Sequence, residues 1–308
     1  ILEKGESLSL NENMLVNRAD LYSRFLQNWI QREILRRGDN KIEQELDVNT
    51  VITLWSVISF ELVKNSNRKL IDTNNFEIKK CIQIDRRLKK YIDGIVKTEY
   101  INNRKCILGF SHMRIAEYLA ANYFCLQLGK FDDQVIETIM FEYTYPITAF
   151  IQERFCLLSH EELKKNFLNL ITILLYTDPY RIGSTLLQYR QTINNNLKRK
   201  IRNLSESETR TMKNQIIYFI SRIPNIDDSL LNVGNEVIKE VYDKEQDKYN
   251  KRSAAIGATI LGNSEIEMQY AHELLEDAES NLKDRSFTMV YYQDVKDKNP
   301  FEYIDDEI

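Results

Sequence analysis

The sequence predicts a mainly α protein with one small β-hairpin, its second half an irregular array of helices. Three observations carry that reading. Glycine and proline together number 13 in 308 residues, too few for the tight turns of a sandwich or barrel. Apolar residues recur at helical spacing along most of the chain, between recognisable helix caps. Strand-like character is confined to one stretch, residues 95–110.

Residues 1–16 read as a linker or the end of a preceding module. The first helix is predicted over Arg18–Arg37, capped by Asn17 and ended by Gly38, with Tyr22, Phe25, Leu26 and Trp29 on its inner face. The second runs from Val48 to Val63 with Leu54, Trp55, Ile58 and Leu62 inward, and the third from Asn75 to Tyr91 with Phe76, Ile82 and Leu88 inward. Ile95–Ile101 is extended in character, Asn102-Asn103 is a turn pair, and Cys106–Phe110 is an apolar strand. Ser111 is placed as an N-cap, with His112 at the first helical position. The helix beyond is apolar almost all round through Ile115, Ala116, Tyr118, Leu119, Ala120, Ala121, Tyr123 and Phe124, which predicts burial. Helices, a hairpin and a further helix follow each other in the order of a winged helix.

From Asp132 onward the pattern is helical. Asp178-Pro179 pairs an N-cap with proline at the first helical position. Ser159–Glu162, Ser205–Glu208 and Ser264–Glu267 have the spacing of capping boxes. The periodic segments are Phe167–Tyr176, Thr211–Ile223, Leu230–Tyr242, Arg252–Leu261, Met268–Ala278 and Leu282–Tyr292. Short helices in succession predict a stacked, HEAT-like array, but no fixed repeat length is present. The expected organisation is a helical linker over 1–45, a winged-helix domain over 46–130, the array over 131–293 and an acidic tail over 294–308.

Composition excludes several classes. No apolar run reaches the length of a membrane span. Cys81, Cys106, Cys125 and Cys156 lie far apart in apolar surroundings, with no Cys-x-x-Cys. This predicts reduced, buried thiols in a cytoplasmic protein and no zinc site. The net charge is −4, and the final fifteen residues hold six acidic and two basic side chains, so the body is balanced. A balanced body gives no general attraction for nucleic acid.

Two stretches carry a family resemblance. Phe110-Ser-His112, followed by Glu117-Tyr118-Leu-Ala-Ala121, resembles the winged-helix motif of the NACHT branch of the STAND signalling NTPases. Asn17-Arg-Ala-Asp-Leu-Tyr-Ser-Arg-Phe-Leu-Gln-Asn-Trp-Ile-Gln-Arg-Glu33 is similar to the helix between the ATPase core and the winged helix of bacterial members. Arg285–Asp294 also looks like segments of such proteins. The resemblance implies that His112, with Ser111 beside it, contacts the β-phosphate of bound ADP or ATP and holds a closed, inactive state. It implies that Arg18, Arg32 and Glu33 face the ATPase module, that the protein self-oligomerises on activation, and that an unknown protein ligand triggers it. Signalling and antiphage defence are the expected settings. The chain departs from the family in having no Gly-x-x-x-x-Gly-Lys-Ser/Thr and no acidic Walker B strand. Beginning at Ile1, it is therefore expected to be the C-terminal part of a longer protein, with the nucleotide held mainly by a P-loop module outside it.

No catalytic residue and no metal ligand is predicted. Glu117 has no paired carboxylate to share acid–base work with. Cys156 and His160 lack a third orienting group, and His272 reads as a surface residue. Tyr143, Tyr145, Tyr291 and Tyr292 fit a core or a concave partner surface equally. Two alternatives stand beside the family reading: a free-standing helical-repeat scaffold, and a winged-helix DNA-binding protein using Lys79, Lys80, Arg86, Arg87, Lys89 and Lys90.

Overall fold

Asn17 begins the first helix through its side-chain oxygen, which accepts the Asp20 N–H at 3.2 Å. Helix α1 then spans Arg18–Arg37. The computed structural model describes residues 17–37, 46–65, 71–92, 95–177, 184–223 and 226–278. The expectations for Asp178-Pro179, Leu282–Tyr292, Arg285–Asp294 and the acidic tail lie outside these. The described elements continue with α2 (Val48–Lys64), β1 (Ile71–Asp72), α3 (Phe76–Ile84), a 3-10 helix (Arg86–Tyr91), β2 (Val96–Ile101), β3 (Arg104–Phe110) and α4 (Met113–Lys130). Then come α5 (Gln134–Met140), α6 (Tyr145–Phe155), α7 (His160–Thr177), a second 3-10 helix (Ser184–Tyr189), α8 (Asn195–Arg202), α9 (Glu206–Arg222), α10 (Asp228–Lys244), α11 (Lys248–Ile260) and α12 (Ser264–Ala278). The protein is thus mainly helical with one three-stranded antiparallel sheet of order β1-β3-β2.

The described residues fall into two compact units that interleave in sequence. The first takes residues up to Tyr123 and Tyr143–Leu157; the second takes Phe124–Glu142 and residues from Leu158.

In the first unit α1 packs on α2 and α6. Its buried residues are Ala19, Leu26, Ile30 and Ile34, whereas Phe25 is 50% exposed. Of the predicted inner face, Leu26 is buried and Tyr22 and Trp29 pack against other rings, while Phe25 alone turns outward; the small Ala19 sits where the helix meets Glu153. Trp55 is 1% exposed and its indole N–H donates to the Tyr91 carbonyl at 2.8 Å. Trp29 lies against it with ring centroids 5.3 Å apart. The predicted third helix is two elements. Asp85 is extended, its carboxylate accepts the Arg87 N–H at 2.9 Å and also clamps the Arg87 guanidinium. That local bond competes with helix propagation. It leaves α3 with Phe76 exposed and only Ile78 buried, while Leu88 is buried in the 3-10 helix. The hairpin turns at Asn102-Asn103 as predicted, with φ +50° and +62°, the left-handed values a tight two-residue hairpin needs and asparagine tolerates.

The second unit is built around α9, which packs against α5, α7 and α11; α11 in turn packs on α10 and α12. Ser159–Glu162 and Ser205–Glu208 form the predicted capping boxes, both N-cap N–H groups donating to the glutamate, at 3.0 and 2.8 Å. Ser264 instead lies inside α12, and Asn263 does the capping by accepting the Ile266 N–H at 3.3 Å. Gly257 lets α11 approach closely: a β-carbon there would lie 3.0 Å from Ile238 Cδ1 and 3.1 Å from Ile217 Cγ2. One polar node is buried among these helices. Lys213 Nζ donates to Glu245 at 2.9 Å, with side-chain exposures of 8% and 5%. Glu245 also accepts from the Gln246 and Asp247 N–H groups and from Asn250. Burial pushes its carboxyl up, but these donors outweigh that and hold it below the usual carboxylate range.

Candidate functional site

The stretch that delivers His112 begins with a fault in the sheet. Thr98 pairs with Ile107 and Lys97 with Gly109, so Leu108 is the extra residue of a β-bulge. Gly109 absorbs it at φ +154°, a conformation side chains resist. Val96 then pairs with Phe110, and the ladder extends one step further: the Ser111 N–H donates to the Ile95 carbonyl at 2.9 Å. Ser111 is therefore held against the hairpin just past the end of β3 and is not the N-cap. The His112 carbonyl accepts the Ile115 and Ala116 N–H groups at 3.1 and 3.4 Å, and the helix starts at Met113. His112 stands at the N-cap position, so the helix begins one residue later than predicted.

Ser111, His112, Met113 and Arg114 are exposed, and from Ile115 onward the helix is buried, with Leu119, Ala120, Ala121 and Phe124 fully so. An exposed imidazole thus stands at the positive end of a rigid core helix, where first-turn N–H groups point outward. Arg114 is tied to Glu117 at 2.8 Å one turn on.

The two stretches that carry the family resemblance meet in the first unit. Tyr22 stacks on Tyr118 at 6.0 Å and meets Phe150 edge-on at 5.5 Å, while Tyr118 and Phe150 are 5.9 Å apart. Arg154 lies over the Tyr118 ring at 5.9 Å. Tyr118 is a packing residue, 1% exposed. Arg18 is engaged within the same unit: its Nε donates to Glu153 at 2.7 Å and its guanidinium lies over Phe150 at 5.3 Å. Glu153 also accepts the Ala19 N–H at 2.9 Å, which caps α1 from outside the helix. No local signal in the sequence marks Glu153; its partners lie more than 130 residues away. Arg32 is exposed, and Glu33 holds Arg36 at 2.7 Å on the helix surface.

Of the basic run, Lys79, Lys80, Arg86, Lys89 and Lys90 are exposed and Arg87 is bound to Asp85. Cys106 and Cys125 are buried, but Cys156 is exposed at the end of α6 and Cys81 is half-buried, so the prediction of four buried thiols fails at these two. Among the described residues no group of His, Cys, Asp or Glu is arranged to hold a metal ion, and no helix is long and apolar enough to cross a membrane. No known protein family, curated protein or solved structure matches the chain.

Proposed function

We propose that this chain is the nucleotide-sensing and helical arm of a NACHT-type STAND NTPase, acting in the cytoplasm. The single observation that carries the reading is His112 exposed at the start of a helix that is otherwise core. A neutral imidazole there donates one hydrogen bond to a phosphate oxygen, and the helix dipole favours the same anion. Ser111 stands beside it. What further supports the reading is the order of the first unit, helix, strand, helix, 3-10 helix and hairpin before α4, which is that of a winged helix. The convergence of both resembling stretches on Tyr22 and Tyr118 supports it too.

In this reading a P-loop module outside the chain holds ADP or ATP, His112 reads the β-phosphate, and loss of that contact shifts the population toward an open, self-associating state. Arg32 and the exposed side of α1 face that module; Arg18 and Glu33 set the helix in place. The helical array of the second unit receives a protein ligand, in a signalling role such as antiphage defence. His112→Ala, in the protein that includes the P-loop module, is expected to release ADP on a desalting column that retains it on the unsubstituted protein. Unchanged ADP retention in that variant would sink the sensor role.

The helical-scaffold reading differs in requiring no nucleotide at all, and the same column decides it. A winged-helix protein that reads duplex DNA needs a continuous helix in the groove. Here the segment in that position is broken at Asp85 into a short 3-10 helix, which weighs against it.

A further inference from the structure

The α3–hairpin region carries a feature that nucleotide sensing does not use. Two aromatic side chains, Phe76 and Tyr100, each stand 74% exposed. They lie in a basic stretch of the chain: residues 71–110 contain nine basic and five acidic side chains, a net of +4 in a protein of net −4. The fold ties the segments that carry them to each other. Thr73 donates its N–H and its hydroxyl to the Lys105 carbonyl, both at 3.0 Å, which ties the start of α3 to the hairpin. Lys105 is registered opposite Tyr100, so the two share one face of the sheet. Phe76 opens α3 three residues after Thr73, and Lys79 and Lys80, both exposed, follow it at helical spacing. Arg104, 74% exposed in its side chain, stands next to Lys105 at the hairpin turn, its guanidinium 3.9 Å from the Asp72 carboxylate.

An exposed aromatic on a helix or hairpin has no packing role to explain it, and large rings are costly to leave in water. Exposed rings set among cations suit one ligand chemistry well: unpaired bases that stack, joined by phosphates that need counter-charge. A duplex hides its base faces and would leave both rings idle. We propose that this surface binds single-stranded nucleic acid without regard to sequence, Phe76 and Tyr100 stacking on bases while Lys79, Lys80 and Arg104 hold phosphates. The proposal is independent of the nucleotide-sensing reading, since none of these residues lies at His112.

The test is fluorescence anisotropy of the full chain with a labelled twenty-nucleotide single strand of mixed sequence, a homopolymer of thymidine, and the matching duplex. Both single strands are expected to bind more tightly than the duplex, with a slope of log affinity on log salt of roughly −2 for three phosphate contacts. Tyr100→Ala is expected to weaken binding about tenfold and Phe76→Ala to do likewise, each within the range for losing one stacked base. Lys79→Glu with Lys80→Glu is expected to flatten the salt slope. Both rings are exposed, so circular dichroism melts of the aromatic variants should match the parent and exclude unfolding as the cause. No binding at low salt, duplex binding as tight as single-strand binding, or an affinity unmoved by both aromatic substitutions would each overturn the proposal.

Discussion

The two units solve the same problem, burying helices against one another, by different means. The first relies on aromatic contact: Trp29 on Trp55, Phe60 stacked on Tyr123 at 4.5 Å, and the Tyr22–Tyr118–Phe150 cluster. Its buried hydroxyl and amide side chains in α2 and α4 are satisfied by neighbours, Ser59 by the Ala116 carbonyl and Ser56 by Asn122. The second unit buries a full ion pair, Lys213 with Glu245, and brings α11 close through a glycine at which a methyl group would press on Ile238 and Ile217. Rigid rings hold helices together through large buried area and a few preferred stacked or edge-on arrangements; a buried charged pair and a glycine contact each depend on one close approach.

That contrast can be broken by experiment, and the two tryptophans make it readable, since Trp29 and Trp55 both lie in the first unit. Tryptophan fluorescence therefore follows that unit, while far-ultraviolet circular dichroism follows both. The largest effect is expected from Trp55→Ala, about 4 kcal/mol lost in urea unfolding, because it empties a ring-sized space and removes the indole donor to the Tyr91 carbonyl. It has to be read by circular dichroism and by the remaining Trp29 signal. A loss under about 1 kcal/mol would mean that aromatic packing does not hold the first unit.

Next comes Lys213→Met, which takes the ammonium donor away from the buried Glu245 carboxylate and should cost about 3 kcal/mol in the circular dichroism transition. Lys213→Met with Glu245→Gln should recover part of that. The pH dependence has a definite sign. Glu245 titrates below the usual carboxylate range when folded, so its contribution is present above the unfolded carboxylate value. It is lost as pH falls through the lowered folded value. A second unit whose stability ignores that window, or that tolerates Lys213→Met, would remove the distinction between the units. The smallest effect is expected from Gly257→Ala, roughly 1–2 kcal/mol through overpacking against Ile238 and Ile217. A neutral result would show that these side chains move aside freely.

Much of the helical framework is legible in the sequence. Arg18–Arg37 is marked by Asn17 and by its apolar period, and the buried helix after His112 by its lack of any polar face. What escapes reading has identifiable causes. The break at Asp85 depends on one carboxylate choosing the Arg87 N–H over solvent, and an aspartate in a basic run looks like any surface residue. Strand β1 is two residues long, Ile71 and Asp72, too short to have a period. On α1, apolar residues occupy two faces, and only the fold selects Ala19, Leu26, Ile30 and Ile34 over Leu21, Phe25 and Leu35, all at least half exposed. At the candidate site, the exposed histidine beside a core helix is legible. Its N-cap position is not, because that follows from the Ser111 N–H being held by the Ile95 carbonyl. Glu153 reaches Arg18 and Ala19 from a distant helix and leaves no trace in the local sequence.

The bulge at Leu108 also acts as a change of phase in the strand. Ahead of it, Lys105 and Ile107 share a face of the sheet; beyond it, Phe110 takes that face, opposite Val96. Odd positions face one way before the bulge and even positions after it. Deleting Leu108 would restore simple alternation and leave Phe110 opposite Val96, on the face it has now; straightening the bulge with every residue kept would instead turn Phe110 to the other side and slip each pairing beyond it by one. What the bulge preserves is a face: it lets the three steps from Ile107 to Phe110 end where two would end in a regular strand.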